Sequence, residues 1–215
     1  MKLGIIGAMV EEITPLLEAV GEYKESKIAN NTFYEASFCG HNLVIVYSKI
    51  GKVNSTLTAT MLIEKFGVEK VIFSGVAGGI NDSLKIGDLI IASKLVQHDV
   101  DITAFGHPFG YIPESGDFIE SDKSLNAIAH SVADELKQKL LEGIIATGDQ
   151  FIADVKRKNW IRETYHADAL EMEGASVAVV CDALKVPCLI LRAISDTADM
   201  DAGFNFEEFL ETSAK

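Results

Sequence analysis

Three acidic positions stand at the borders of apolar runs. Leu189-Ile190-Leu191-Arg192-Ala193-Ile194 leads straight into Ser195-Asp196, Glu171-Met172-Glu173-Gly174 precedes a second apolar stretch, and Glu11-Glu12 follows the opening run Leu3-Gly4-Ile5-Ile6-Gly7. Because α/β proteins hold ligands in the crevice outside the carboxyl ends of their strands, carboxyl groups from distant parts of the chain can converge there. Carboxyls in different environments divide into proton donor, proton acceptor and stabiliser of positive charge. Each has a plainer reading when taken alone. Glu11 and Glu12 favour the positive end of a helix dipole, and Asp196 caps a turn. Their common placement at strand ends, beside small residues, favours a site.

The elements that must position these groups are legible as short apolar runs at residues 2–7, 43–48, 71–75, 88–94, 143–147 and 188–194, which predict strands buried on both faces. Helical character lies between several of them, at 51–66, 122–140, 155–165 and 173–185, with a last helix from about residue 205. The alternation predicts an α/β fold with helices on both sides of a central sheet. Thr32 to Phe38 and Leu43 to Ser48, separated by Cys39-Gly40-His41-Asn42, predict an antiparallel hairpin, which makes the sheet mixed. Residues 96–120 hold Pro108, Pro113, several glycines and aromatics in a polar stretch too long for an ordinary connection, as functional or interfacial loops are.

A chain of 215 residues that is 48% hydrophobic can bury a substantial core, and one domain spanning 1–215 is expected. The formal net charge of −13 opposes a polyanionic partner, so neither nucleic acid nor an anionic membrane fits. Cys39, Cys181 and Cys188 lack Cys-x-x-Cys spacing and read as small core residues in a reducing compartment. The start of the chain lacks the pattern of a secretory signal, and no run reaches membrane-span length. A cytoplasmic protein is expected. His41, His98, His107, His130 and His166 show no mutual metal-ligand spacing and are assigned no chemistry.

Gly75-Val76-Ala77-Gly78-Gly79 follows the strand Val71-Ile72-Phe73 and reads either as a tight strand-to-loop turn or as a binding turn whose small residues let a ligand approach the backbone. It is not Gly-x-Gly-x-x-Gly, and no Gly-Lys-Ser or Gly-Lys-Thr occurs, which removes two common phosphate cradles. Arg157, Arg162 and Arg192 are the only arginines, and the first 156 residues have none. A dedicated phosphate site in the N-terminal half is disfavoured, since phosphate recognition leans on bidentate Arg.

Six segments together resemble a known family: Gly4-Ile5-Ile6-Gly7-Ala8-Met9 with Glu11-Glu12, Ser48-Lys49-Ile50-Gly51-Lys52-Val53, Gly75-Val76-Ala77-Gly78, Thr147-Gly148-Asp149-Gln150-Phe151, Glu171-Met172-Glu173-Gly174 and Arg192-Ala193-Ile194-Ser195-Asp196. In order and spacing the chain resembles the 5′-methylthioadenosine/S-adenosylhomocysteine nucleosidases over essentially its whole length. The resemblance implies a three-layer α/β/α fold of the nucleoside phosphorylase type with a central mixed β-sheet, a homodimer, and hydrolysis of the bond between adenine N9 and ribose C1′ without cofactor or metal. Carried over by position, Glu12 activates the water, Asp196 is the acid toward the purine, and Glu173 binds the ribose hydroxyls. Phe151 stacks on adenine and the Ile152 backbone reads its edge, while Met9, Ile50, Met172 and Phe206 line the ribose and 5′-thio pocket. Val76, Ala77, Gly78, Glu171, Arg192 and Ser195 complete the substrate-binding set, and Phe105 and Pro113, in the long loop, close the partner's pocket. Val76 stands where some members carry Ser, and the chain ends at Ser213-Ala214-Lys215 where relatives continue their last helix. Composition alone would put Met9, Ile50, Met172 and Phe206 in the core.

The chemistry explains why such groups are wanted. Adenine leaves poorly as an anion, so the site must protonate it, although an ordinary aspartic acid titrates near ~3.9. Ribose gains oxocarbenium character as the bond opens, and an ionised Glu173 stabilises that charge. Glu12 must be unprotonated to accept a proton from water. Arg192 either fixes Glu173 or another site carboxylate, or is an ordinary charged residue at a strand end. The details of Asn54 to Thr58 and Gly106 to Ser115 look most like a branch that also accepts 6-amino-6-deoxyfutalosine. The alternatives are a purine nucleoside phosphorylase, against which the sparse Arg argues, and a non-catalytic nucleoside-binding module, against which the three carboxyls argue.

Overall fold

The computed structural model describes residues 1–197. β1 (Lys2–Gly7) leads into α1 (Val10–Val20), and the strands β2 (Tyr23–Ile28), β3 (Asn31–Phe38) and β4 (His41–Tyr47) precede α2 (Lys52–Glu64). β5 (Lys70–Gly79) and β6 (Leu89–Gln97) follow, and a long segment with a 3-10 turn at Thr103–Phe105 ends in the short β7 (Ile119–Glu120). The remainder runs α3 (Lys123–Leu136), β8 (Leu140–Thr147), α4 (Val155–Tyr165), β9 (Ala169–Glu171), α5 (Gly174–Ala183) and β10 (Cys188–Thr197).

The mixed sheet expected from the hairpin is present. β1 runs parallel to β4 and β5, and β10 runs parallel to β5, while β2, β3 and β4 form an antiparallel meander. Side chains alternate across it as a two-residue period requires. Leu3, Ile5, Leu43 and Ile45 pack with Ile13 of α1 on one face, and Ile6, Val44 and Val46 join the core under α2 and α5 on the other. That alternation builds the three layers. α5 is buried along most of its length, and its Ser176 hydroxyl meets Ser55 of α2 at 2.7 Å.

A feature the apolar runs did not announce is closure. β5 shares one edge between two neighbours, Leu3–Ile6 of β1 pairing with Lys70–Phe73 and β9 pairing with Gly78 and Gly79. From its other edge the sheet continues through β10, β6, β8 and β9, so five strands form a ring. The rim at the carboxyl ends of β5 and β10 is where the acidic groups gather.

Several boundaries differ from expectation, each for a physical reason. Gly75–Gly79 is not a turn: β5 continues through it, paired with β10 along one side and with β9 at Gly78 and Gly79 on the other. The hairpin turn is tighter than Cys39–Asn42, because Cys39 (φ 47°) and Gly40 (φ 78°) both adopt left-handed conformations and return the chain in two residues. α3 stops at Leu136 rather than near 140, since Lys137 is left-handed (φ 55°) and Leu140 already belongs to β8. β2, an exposed edge strand of sequence YKESKI, carries no apolar run by which to be found. The helix expected from about 205 lies outside the described residues.

Candidate active site

Glu12 sits in the first turn of α1, and its carboxylate reaches back over the helix N-terminus. One oxygen accepts from the Ala8 and Met9 amides at 2.5 and 3.1 Å, and the other from the Val76 amide of β5 at 3.1 Å. Capping and site are therefore one arrangement, whereas Glu11 is exposed. Burial pushes the Glu12 carboxyl above its ordinary value, against the opposing pull of the Arg192 guanidinium and the three amides. Gly75 is required beneath it: a Cβ there would collide with Arg192 Nη1 and approach Glu12 Oε1 to 2.6 Å.

Arg192 is 1% exposed and stacks over the Phe73 ring at 4.1 Å. It pairs with Glu171, and its Nη2 lies 3.5 Å from Glu173 Oε2. Of the two roles open for it in the sequence, the structure chooses the carboxylate anchor. Glu171 also accepts from the Thr147 hydroxyl and from the amides of Glu173 and Gly174 at 3.1 and 2.7 Å. With its oxygens so engaged, Glu171 shapes the turn that presents Glu173, although it also lines the cavity wall.

Glu173 precedes α5 and accepts from the Gly51 amide at 2.9 Å. Gly51 has φ 99°, a backbone that favours glycine. Burial pushes the Glu173 carboxyl up to about 7, with Arg192 opposing and Glu171 and Glu12 adding to the rise. The ionised Glu173 expected from the sequence is thus only part of the population near neutrality. Positive charge on a bound sugar would draw it to the anion. The sign for stability follows directly. The folded state keeps a proton that the unfolded chain has released, so stability falls as pH rises from about 4.5 toward about 7. The ligand-free protein is expected to melt at lower temperature at about pH 8 than at about pH 5, and Glu173→Gln to flatten that difference in a calorimetric series. Carboxylates held low, such as Asp88 and Asp99, act in the opposite sense only below about pH 4.

Asp196 is aimed by a β-bulge. In the β5–β10 register Ile194 faces Ala77 and Asp196 faces Gly78, leaving Ser195 as the extra residue. The Ser195 hydroxyl lies 3.0 Å from Asp196 Oδ1 and 3.4 Å from the Ala77 carbonyl. A Cβ at Gly78 would press on the carboxyl at 3.1 Å. The buried Lys158 of α4 lies 3.3 Å from Asp196 Oδ2.

These groups share one cavity of about 300 Å³, which takes in Met9, Glu12, Ile50, Val76, Ala77, Gly78, Phe151, Glu171, Met172, Glu173, Ser195 and Asp196 from the expected set. Ile50 and Phe151 stand half exposed at its mouth. Ile152 lines a small adjoining cavity with Lys158 and Asp196. Phe105 and Pro113 do not reach it: Phe105 is 81% exposed in its 3-10 turn and Pro113 is exposed in the turn after it. Phe206 lies outside the described residues. Missed by the sequence reading were Ala8, Leu170 and Lys158. Of these Lys158 left a trace, since it shares the buried face of α4 with Ile161 and Tyr165 at helical spacing.

The sequence profile of the phosphorylase superfamily matches residues 2–215. The chain belongs to that superfamily. Within it, the chain is 60% identical over 215 residues to the aminodeoxyfutalosine nucleosidase of Campylobacter jejuni, covering 100% of this chain and 94% of that one. It is 40% identical to a 5′-methylthioadenosine/S-adenosylhomocysteine nucleosidase of a Geobacillus species, over 100% of this chain and 94% of the relative. Among solved structures, a Helicobacter pylori nucleosidase mutant with 5′-methylthioadenosine in its active site superimposes with a TM-score of 0.97 at 53% identity, covering 99% of this chain and 93% of that one. The nucleoside phosphorylase-type fold expected from the six segments is therefore the fold found.

Proposed function

We propose that the chain is an N-glycosyl hydrolase that releases adenine from 5′-methylthioadenosine, S-adenosylhomocysteine, 5′-deoxyadenosine and 6-amino-6-deoxyfutalosine. The observation that carries this reading is the meeting of Glu12, Glu173 and Asp196 in one cavity with an apolar wall suited to a nucleoside. The purine lies toward Phe151, Ile152 and Asp196, with Asp196 handing a proton to N7 as the C1′–N9 bond lengthens. The ribose lies over Met9 and Met172 with its hydroxyls at Glu173, which steadies the growing positive charge. Water enters between Glu12 and C1′, and Glu12 takes its proton.

Phosphorolysis fits less well. The cations placed at the cavity, Arg192 and Lys158, are each engaged by carboxylates, which leaves neither free to hold a phosphate. The deciding assay follows adenine release across the nucleosides with and without phosphate. Free pentose supports the reading, and pentose 1-phosphate formed only with added phosphate rejects it. Nucleoside binding without adenine release would leave a non-catalytic module instead.

We further propose a cytoplasmic homodimer, one domain per chain, in which residues 96–120 of each protomer close the other's site. Among the described residues no helix is long and apolar enough to cross a membrane. The exposed Phe105 ring, which this chain's own cavity does not use, supports the exchange. Phe105→Ala is expected to raise KM about tenfold, as loss of an aromatic contact would. Mixed with an Asp196→Asn protomer, it should regain at one site per heterodimer the wild-type kcat/KM that neither homodimer has, read as adenine release after subunit exchange. No recovery, with a sedimenting and fully active monomer, would dismiss the shared site.

A further inference from the structure

Lys158 occupies a position where an apolar side chain would pack as well. It lies on the inward face of α4 beside Ile161 and Tyr165, its side chain 1% exposed. Its Nζ stands 3.3 Å from Asp196 Oδ2 and 3.4 Å from the Thr197 carbonyl. A buried ion pair is weak as a stabiliser, because removing two charges from water costs about as much as their attraction returns. Fold stability alone therefore gives little reason for an ammonium here. The pair also faces the small cavity lined by Gly78, Phe151, Ile152 and Leu170, the end of the site given to the purine.

We propose that Lys158 stores the proton that Asp196 delivers, so that the acid of the reaction is the pair rather than the aspartate alone. This rests on the hydrolase reading above. Ammonium and carboxylate are the favoured pair while water hydrates both charges. When the purine displaces water, the neutral amine and neutral carboxyl become competitive, since two separated charges lose more hydration than two dipoles. One Nζ–H bond breaks and an O–H bond forms at Oδ2. That O–H then breaks as N7–H forms, and the electron pair of the broken C1′–N9 bond stays on adenine. Glu12 holds the proton lost by water. Solvent exchange after product release carries that proton away and restores the ammonium, so the cycle closes with no other reactant.

Other charges near the pair are the carboxyls of Glu171, Glu173 and Glu12, with Arg192 engaged among them. On α4 itself, Asp154 caps the helix, Arg157 stacks on Trp160 at 4.1 Å and Arg162 pairs with Asp82. These remain in any Lys158 variant, so a changed pH profile reports on the pair.

The test compares pH–rate profiles of wild type, Lys158→Met and Lys158→Arg. Lys158→Met leaves the proton to Asp196 alone: kcat is expected within about threefold of wild type near pH 5.5 and at least about tenfold lower near pH 8, with the alkaline limb moved to lower pH. Lys158→Arg preserves the ion pair but not the relay, because guanidinium does not surrender a proton, so it should stay slow at every pH. Full recovery by Arg would overturn the proposal in favour of a positioning ion pair, and a Met variant that matches or exceeds wild type at neutral pH would overturn it outright. Should either variant fold poorly, adenine affinity of the folded fraction between about pH 6 and 8 reads the same proton: pH-dependence steepened by Met supports the relay, and an unchanged slope opposes it. Asp196→Asn, run in parallel, separates the failures. Wild type that releases no adenine refutes the hydrolase reading, whereas active wild type, a slow Asp196→Asn and an indifferent Lys158→Met refute only the relay.

Discussion

Asp196→Asn is expected to slow adenine release by about 10²- to 10⁴-fold, the range that general acid assistance contributes, while KM for methylthioadenosine changes little. Asparagine keeps the shape that the Ser195 bulge aims and still offers an oxygen to Lys158, so the nucleobase end of the cavity stays in place. What it lacks is a proton to hand over. A fall in kcat with KM intact is the mark of an interaction made only in the transition state. The variant also leaves the buried Lys158 without a counter-charge, so its melting temperature should drop as well. Steady-state kinetics beside a melting curve separates the two effects, and near-wild-type kcat would remove Asp196 from the chemistry.

Glu12→Gln is the second large loss, again about 10²- to 10⁴-fold in kcat. Its geometry makes the substitution harsher than it looks. Both oxygens of Glu12 accept from amides, Ala8 and Met9 on one side and Val76 on the other. A glutamine can offer an oxygen to only one side and must turn its own NH₂ group toward a backbone donor on the other. The expected result is lost turnover together with lower stability, by about 1–3 kcal/mol for the unsatisfied donor. Glu12→Asp retains two acceptor oxygens on a shorter arm, so partial recovery of stability without recovery of rate would separate positioning of water from capping of α1. Normal turnover in Glu12→Gln would mean that water is activated elsewhere.

The parts of this architecture that were legible in the sequence are those with an apolar signature. β1, β4, β6, β8 and β10 appeared as runs of branched aliphatic residues, and α4 and α5 began and ended within a residue or two of expectation. β2 and β9 left no such signature, the first because its side chains face solvent and the second because it is only three residues long. The strand character of Gly75–Gly79 was hidden for another reason. Glycine disfavours strands locally, and pairing with β10 throughout and with β9 at Gly78 and Gly79 overrides that preference. The three carboxyls were legible because each borders an apolar run, but Arg192 was ambiguous, since the sequence does not say that Phe73 and two glutamates would enclose it. Lys158 was hidden by its setting in Val155-Lys156-Arg157-Lys158-Asn159, where four polar residues in a row look uniformly solvated. Its burial depends on the rotation of α4, fixed by Ile161 and Tyr165 further along.

The bulge at Ser195 and the amide of Val76 have a joint consequence for the spacing of the Glu12 and Asp196 carboxyls. The Val76 amide donates to Glu12 and Gly78 abuts the Asp196 carboxyl, two residues apart on a single extended strand. That interval, about 6.5 Å of strand, works as a ruler between the two acidic groups. β10 pairs with it along one edge, while on the other the Val76 amide is taken by Glu12 and β9 joins only at Gly78, so the spacing of the two carboxylates is set by backbone and survives changes in the side chains that line the walls.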